Sequence, residues 1–169
     1  MRKLGLVVHV GTSVGWVGAA LAFLVLAVAA STADDPATIR GSLVAMGTVF
    51  WFAIVPLALG TVAIAVLQSL LSPYGLLRHW WVVVKLLVTL LATAVVISYG
   101  TTMTSVVAAA GDVSLSNGQL RALALSPLLH ATLGIGVLLV ALVLSVYKPS
   151  GLTPIGWRWQ DDLRRRTDE

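Results

Sequence analysis

Four long apolar stretches, separated by short polar segments, dominate the hydropathy pattern of this chain. They predict helices at about residues 4–30, 42–71, 79–110 and 120–147. Each stretch exceeds the roughly 20 residues that an α-helix needs to cross a hydrocarbon core about 30 Å thick. The segments between them are rich in Asp, Ser, Pro and Gly, which favour turns. The pattern therefore predicts an all-α integral membrane protein with four spanning helices.

The short connections also predict how these helices are arranged. Helices joined by short loops pack as antiparallel neighbours, so we expect residues 1–150 to form an up-down-up-down four-helix bundle. Residues 151–169 follow as a basic juxtamembrane tail. Pro56 and Pro127 lie inside the second and fourth predicted helices, where proline removes a backbone donor and bends the helix. Two of the four helices are thus expected to be kinked.

The composition supports a membrane protein and excludes several kinds of chemistry. The chain is 58% hydrophobic and 11% charged, with a mean hydropathy of +0.95, whereas soluble domains contain about 25% charged residues. Cysteine is absent, which excludes disulfides, thiolate metal sites, iron–sulfur clusters and cysteine nucleophiles. The predicted spans contain no Asp or Glu, which excludes a carboxylate proton relay and a dimetal carboxylate site.

The basic residues are distributed unevenly between the two ends of the predicted bundle. Of the eleven Lys and Arg residues, two lie at one end, one lies inside the third helix, and eight lie at the end that carries both termini. These eight are Arg2, Lys3, Arg78, Lys148, Arg158, Arg164, Arg165 and Arg166. The positive-inside rule then predicts a multi-pass protein of the cell membrane, plasma or inner, with both termini in the cytoplasm.

The basic tail is expected to lie against the membrane surface. Its sequence, Trp157-Arg-Trp-Gln-Asp-Asp-Leu-Arg-Arg-Arg166, places indoles where they favour headgroup depth and arginines where they meet anionic lipid. The sequence pI of about 10.0 arises from this short segment beside the membrane. The lipid bilayer is therefore the expected partner, and no nucleic-acid role is expected.

Three ionisable residues inside the predicted spans are the candidate functional groups: His9, Lys85 and His130. Such residues cost a few kcal/mol in the membrane unless they are paired or functional. His9 and Lys85 both lie about five residues, or about 8 Å, from the same end of the bundle. They predict a shared site, with His79 at its rim. His130 lies nearer the midplane, just after Pro127.

Each of these residues also has a purely structural interpretation. A lysine one or two turns from a helix end can extend its ammonium group to the headgroups. A buried histidine can bond a neighbouring carbonyl, as His9 would, and His130 can bond a backbone carbonyl that a proline leaves without a donor. These alternatives stand beside the functional one.

Two short motifs resemble a known family of membrane proteins. The first is His9-Val-Gly-Thr-Ser-Val-Gly-Trp16-Val-Gly18, and the second is Trp80-Trp-Val-Val-Val-Lys85-Leu-Leu, with Tyr147-Lys-Pro149 after the last span. They resemble the first and third helices of the four-helix membrane proteins grouped around the copper-resistance protein CopD and the HemJ-type protoporphyrinogen oxidases. The resemblance covers roughly residues 1–150 and implies a four-helix bundle.

The resemblance also implies a cofactor and residues to hold it. His9 would be an axial ligand of haem b, and Lys85 would pair with a haem propionate or a substrate carboxylate. His130 or His79 would supply a second ligand, or the iron would be five-coordinate. The activity implied is that of an oxidoreductase with a quinone or another redox partner. The family's third helix continues to a tyrosine–histidine pair, whereas this chain has Ser98-Tyr99-Gly100.

Two other functions remain open from the sequence. Copper transport needs soft ligands, and Met46, Met103 and His130 are the candidates. The second alternative is a structural or accessory membrane subunit without a cofactor, in which the histidines hold helices together. A serine hydrolase is not expected, because no serine has both a histidine and a carboxylate placed to meet it at one depth.

Overall fold

The computed structural model describes residues 2–71, 77–147 and 151–167, and this part of the chain is all-helical. Four stretches of helix are long and apolar enough to cross a membrane, as the hydropathy pattern predicted. The elements are α1 (Arg2–Thr32), α2 (Pro36–Val49), a π turn (Phe50–Ile54), α3 (Val55–Leu71), α4 (Trp80–Ala110), α5 (Asn117–Tyr147) and α6 (Pro154–Thr167). Together α2, the π turn and α3 make up the second span.

The second span begins at Pro36, earlier than the predicted start at residue 42. Asp35 is its N-cap and accepts hydrogen bonds from the Thr38 backbone amide at 2.9 Å and the Thr38 hydroxyl at 2.8 Å. Proline at the first helical position needs no partner for a backbone N–H. The hydrogen bonds from the Thr38 hydroxyl and amide, and from the Ala37 amide, hold the pKa of the Asp35 carboxyl below its ordinary value of 3.8. Capping chemistry, rather than hydropathy, determines where this helix begins.

The π turn accounts for the effect of Pro56 on the second span. Pro56 has no N–H to donate to the carbonyl of Phe52, four residues earlier. In the turn just before it, the Val55 N–H donates to the carbonyl of Phe50, five residues earlier. Phe50 is buried, whereas the Phe52 side chain is 82% exposed. The wider turn thus sends one aromatic ring into the protein and another toward lipid.

Two arginines tie together the end of the bundle formed by residues 33–40 and 110–121, which we call the loop end. Arg40 donates to the Ala110 carbonyl at 2.6 Å and to two carbonyls of the loop that follows. Arg121 donates to the Ala33 carbonyl at 2.8 Å and forms an ion pair with Asp34. Because the last carbonyls of a helix lack partners within the helix, these guanidinium groups stabilise the ends of α4 and α1.

The most deeply buried side chains lie in the half of the bundle next to the loop end, which we call the loop half. Five large residues there are completely or almost completely buried: Ile39, Leu43, Met46, Met103 and Leu120. The buried residues of α5 are Leu120, Ala124, Pro127 and Ala131. In the remaining part of α5, residues 132–147, every side chain is at least partly exposed. We call this less densely packed half the terminal half.

The basic tail forms an amphipathic helix, α6, that is attached to the segment before α4. The Trp80 amide donates to the Gly151 carbonyl at 3.2 Å, and the Thr153 amide donates to the Arg78 carbonyl at 2.9 Å. The Arg78 guanidinium lies 3.6 Å from the centre of the Trp159 ring. A short antiparallel bridge and a cation–π contact therefore fix the start of α6, which was predicted only as a surface anchor.

Candidate functional site

A cavity of about 410 Å³ lies among α1, the second span, α4 and α5. Its walls are almost entirely apolar: Trp16, Ala20, Phe23, Phe50, Ile54, Val88, Leu91, Ala92, Val95, Val96, Tyr99, His130, Ala131, Leu133, Gly134, Val137 and Leu138. This volume is within the range of about 300–1,000 Å³ typical of small-molecule sites. The cavity is therefore large enough to hold an organic molecule.

The cavity is elongated and reaches the outer surface of the bundle. On α4 its lining runs from Val88 to Tyr99, which corresponds to about 16 Å at 1.5 Å per residue. Leu91 on α4 and Leu133 on α5 line it and are also 68% and 60% exposed. Such residues face both the cavity and the outside of the bundle, so the cavity opens to the outside along the seam between α4 and α5.

One corner of the cavity carries polar groups, which we call the polar corner: Tyr99, His130 and the adjoining Ser126. The Tyr99 and Ser126 hydroxyl oxygens are 3.0 Å apart, and the His130 Nδ1 lies 2.9 Å from the Ser126 carbonyl oxygen. The rings of Tyr99 and His130 are stacked, with centroids 4.2 Å apart and planes inclined by 29°. Because a carbonyl oxygen only accepts, Nδ1 carries the hydrogen in this contact, and in the neutral tautomer with this arrangement Nε2 is an acceptor.

Pro127 influences this corner differently from the prediction. It removes the donor for the Leu123 carbonyl, four residues earlier. His130 does not bond that carbonyl but the one of Ser126, within its own helical turn. The ring is thereby held beside Tyr99. Tyr99 is not followed by a histidine in the sequence, but its ring is stacked on that of His130 from the neighbouring helix.

A glycine allows the aromatic wall of the cavity to form. A Cβ at Gly100 would lie 2.9 Å from the Cη2 atom of Trp51, so the absence of a side chain here leaves room for the Trp51 ring. The ring of Phe50 then lies 6.1 Å from that of Tyr99 and 6.4 Å from that of Phe23. With His130 stacked on Tyr99, aromatic rings from all four spans form a continuous wall.

His9 on α1 and Lys85 on α4 both lie in the terminal half, and their shared site stays a prediction. The Nδ1 atom of His9 is buried without a hydrogen-bond partner in the described part of the chain. Neither residue lines the cavity, although His9 precedes Trp16 by seven residues and Lys85 precedes Val88 by three. Both therefore continue the helix faces that line the cavity, beyond its end.

The four histidine and lysine candidates do not form one site. His79 is the N-cap of α4 and is bridged to Leu152, outside the span. His130 is stacked on Tyr99, which is about 21 Å along α4 from Lys85 at 1.5 Å per residue. His130 therefore lies far along the bundle from Lys85, and His79 lies outside the span.

Met46 and Met103, the candidates for binding copper, are not part of a recognisable metal site in the described residues. Met46 and Met103 are completely buried in the loop half. Within the described ranges, no group of three or more His, Cys, Asp or Glu side chains could hold a metal ion. Both methionines contribute to the packing that holds the second span against α4.

No family model, curated protein or solved structure matches the chain. The class of the protein follows from its own structure. Four long apolar helices identify it as a multi-pass helical membrane protein.

The sequence analysis did not propose Tyr99 and Ser126 as site residues. Their polar side chains inside apolar spans were a signal that could have identified them.

Proposed function

We propose that this protein binds an elongated lipophilic molecule that enters the cavity from the bilayer. The cavity carries the proposal, because it combines apolar walls, an exposed seam and a small polar corner. Ligand sites generally have this composition, in which apolar walls provide affinity and a few polar groups orient the ligand. A redox role for such a ligand, for example as a quinone, is part of the proposal.

The π turn supports a functional role for the cavity. A π turn interrupts the regular hydrogen bonding of a helix and is found frequently at functional sites. Here it presents Phe50 and Ile54 to the cavity, while Gly100 makes room for the neighbouring indole. The local irregularity of the second span is thus concentrated where the ligand would bind.

The chain offers a matched pair of variants to test this proposal. Gly134 lines the cavity, Gly136 does not, and an added Cβ meets no heavy atom within 4 Å at either position. Gly134→Leu is therefore expected to fill the cavity, and Gly136→Leu to add the same side chain outside it. The measurement is photolabelling by a dodecyl-benzophenone probe in phosphatidylcholine nanodiscs, with labelled residues identified by mass spectrometry. Label on the α4 and α5 lining should fall severalfold in Gly134→Leu alone, and equal labelling of both variants would contradict the proposal.

Haem b held by His9 is a second candidate function, with an oxidoreductase role. The buried Nδ1 of His9 supports it, because imidazole is a common haem ligand and this nitrogen has no hydrogen-bond partner among the described residues. Lys85 would provide positive charge for a propionate. Haem would supply electron transfer at iron, while this chain would supply ligation, charge and exclusion of water.

The haem proposal is tested by absorption spectra of detergent-purified protein from haem-replete cells, oxidised and dithionite-reduced. A Soret band in the wild type that is lost in His9→Ala and kept in His130→Ala supports ligation by His9. Loss in His130→Ala alone excludes His9 as the ligand. A colourless wild type rejects haem binding and favours the cofactor-free accessory subunit, and copper analysis of the same sample tests copper binding.

We also propose that both termini lie in the cytoplasm and that the membrane is the plasma or inner membrane. The support is the excess of basic residues at the terminal end. Because the chain has no cysteine, single cysteines report their own position. A membrane-impermeant maleimide added to intact cells should label Val113→Cys, and Asp161→Cys only after permeabilisation. The reverse labelling pattern would show that the proposed orientation is wrong.

A further inference from the structure

The hydrogen bonds of the polar corner define the chemistry of the group that can bind there. His130 donates through Nδ1 to its own helix, at 2.9 Å. His130 lines the cavity, and its other ring nitrogen, Nε2, takes no part in this bond. It has a lone pair and no hydrogen in the neutral ring, so it can only accept. The corner therefore offers one acceptor beside the cavity.

The same corner offers one hydrogen-bond donor. The hydroxyls of Tyr99 and Ser126 carry one hydrogen each, and the 3.0 Å contact between them uses one of the two. When Ser126 donates to Tyr99, the remaining hydrogen is on the Tyr99 hydroxyl, and Tyr99 lines the cavity. A ligand at this point can therefore accept from Tyr99 while it donates to His130.

A hydroxyl group satisfies both requirements with a single oxygen atom. A ketone or an ether oxygen only accepts, so either would leave Nε2 without a partner in an apolar site. The continuous aromatic wall of Phe23, Phe50, Tyr99 and His130 favours a flat ring beside that hydroxyl. The remaining length of the cavity and its seam toward lipid have space for an apolar tail.

We propose that the polar corner binds the ring hydroxyl of a lipophilic phenol, the class that includes membrane hydroquinones. The His130 Nε2 accepts from this hydroxyl, and the Tyr99 hydroxyl donates to its oxygen. This inference rests on the proposed binding of a lipophilic molecule in the cavity. It adds that the site discriminates a hydroxyl from oxygen groups that lack a hydrogen.

Two probes of closely similar shape test this discrimination: 4-dodecylphenol and its methyl ether, 4-dodecylanisole. Each competes with the dodecyl-benzophenone label in phosphatidylcholine nanodiscs. Wild-type protein should bind the phenol about tenfold or more tightly than the ether, because only the phenol can donate a hydrogen bond to Nε2. His130→Phe keeps a flat ring beside Tyr99 but removes Nε2. It should bind both probes equally, at about the wild-type affinity for the ether.

Tyr99→Phe is a second variant, which removes the donor and leaves His130 in place. It should weaken phenol binding by a smaller factor, since Nε2 still accepts. Equal binding of both probes by the wild type, with loss of both in Gly134→Leu, would overturn the hydroxyl inference and keep the proposed lipophile site. Absence of competition by either probe, with no effect of Gly134→Leu on labelling, would overturn the proposed site as well.

Discussion

The loop half and the terminal half of this bundle are built from similarly apolar helices but are packed differently. In the loop half, large side chains such as Leu43 and Met103 are fully buried, and arginines join the helix ends. In the terminal half, every α5 side chain is at least partly exposed, and the buried Nδ1 of His9 has no hydrogen-bond partner among the described residues. The cavity lies where the two halves meet. The loop half supports the structure, and the terminal half leaves space.

The difference follows from what drives packing inside a bilayer. Lipid tails are as apolar as leucine, so burial against protein gains little by transfer, and close packing and hydrogen bonds decide which helices associate. Small residues allow this packing in the loop half. A Cβ at Gly47, for example, would lie 2.4 Å from a methyl group of Val107. The exposed leucines and valines of α5 in the terminal half can be covered equally well by lipid.

The largest expected difference between the halves is the cost of removing a leucine. Leu43→Ala creates a cavity where the side chain is fully buried, whereas Leu138→Ala enlarges a cavity that already exists. We expect the first to lower the free energy of unfolding by about 2–3 kcal/mol and the second by less than about 1 kcal/mol. Reversible unfolding in mixed micelles measures both. Equal losses would show that the two halves are packed alike.

The arginine contacts of the loop end should have the next largest effect. Arg40→Ala removes the donors to the Ala110 carbonyl and the following loop, so we expect a loss of about 2 kcal/mol. The matched control is Asp34→Asn, which removes an ion pair whose carboxylate is 99% exposed. It should cost less than about 1 kcal/mol. Similar unfolding energies for Arg40→Ala and wild type would contradict this account.

A smaller effect is expected where α6 is attached to the terminal half. A Cβ at Gly156 would lie 2.3 Å from the Arg78 carbonyl oxygen, whereas a Cβ at Gly151 meets only Trp80 at 3.8 Å. Gly156→Ala should therefore displace the helix and cost about 1 kcal/mol, while Gly151→Ala should be tolerated. Hydrogen exchange of residues 151–167 is the measurement. Unchanged protection in Gly156→Ala would mean that this contact does not hold α6.

The smallest effect concerns the cap of the second span and depends on pH. Hydrogen bonds from Thr38 lower the pKa of the Asp35 carboxyl below 3.8. A depressed pKa in the folded state stabilises the protein above pH 3.8, and this contribution is lost as the pH falls below that value. Asp35→Asn keeps a cap that does not titrate. The melting temperature of the wild type should therefore fall slightly more than that of Asp35→Asn between pH 6 and pH 3, and parallel curves would refute the linkage.

Hydropathy predicted the number and approximate limits of the spanning helices but not their local details. The start of the second span at Pro36 was missed, because Thr38 and Arg40 interrupt the apolar run although Asp35 and Pro36 are a good start signal. The prediction of a kink at Pro56 indicated an irregularity in the second span but not the π turn that accompanies it. The order of the helices in the bundle and the side of each terminus stay predictions.

The candidate site was only partly predictable. Ionisable residues inside apolar runs stand out in a sequence, so His9, Lys85 and His130 were identified, and of these His130 lines the cavity. The cavity itself could not be predicted, because it arises where facing helices fail to fill the space between them. Its polar corner combines Tyr99 and Ser126, which are 27 residues apart.

The sequence by itself determined that this is an all-helical protein with four membrane-length spans. That information is local, since each run of apolar residues must be helical to satisfy its own backbone in lipid. The tertiary structure alone decided that Arg40 caps a carbonyl 70 residues away, that His130 is stacked on Tyr99, and that a cavity opens beside them. Packing between helices depends on side-chain shape across distant segments, and no local pattern in the chain records it.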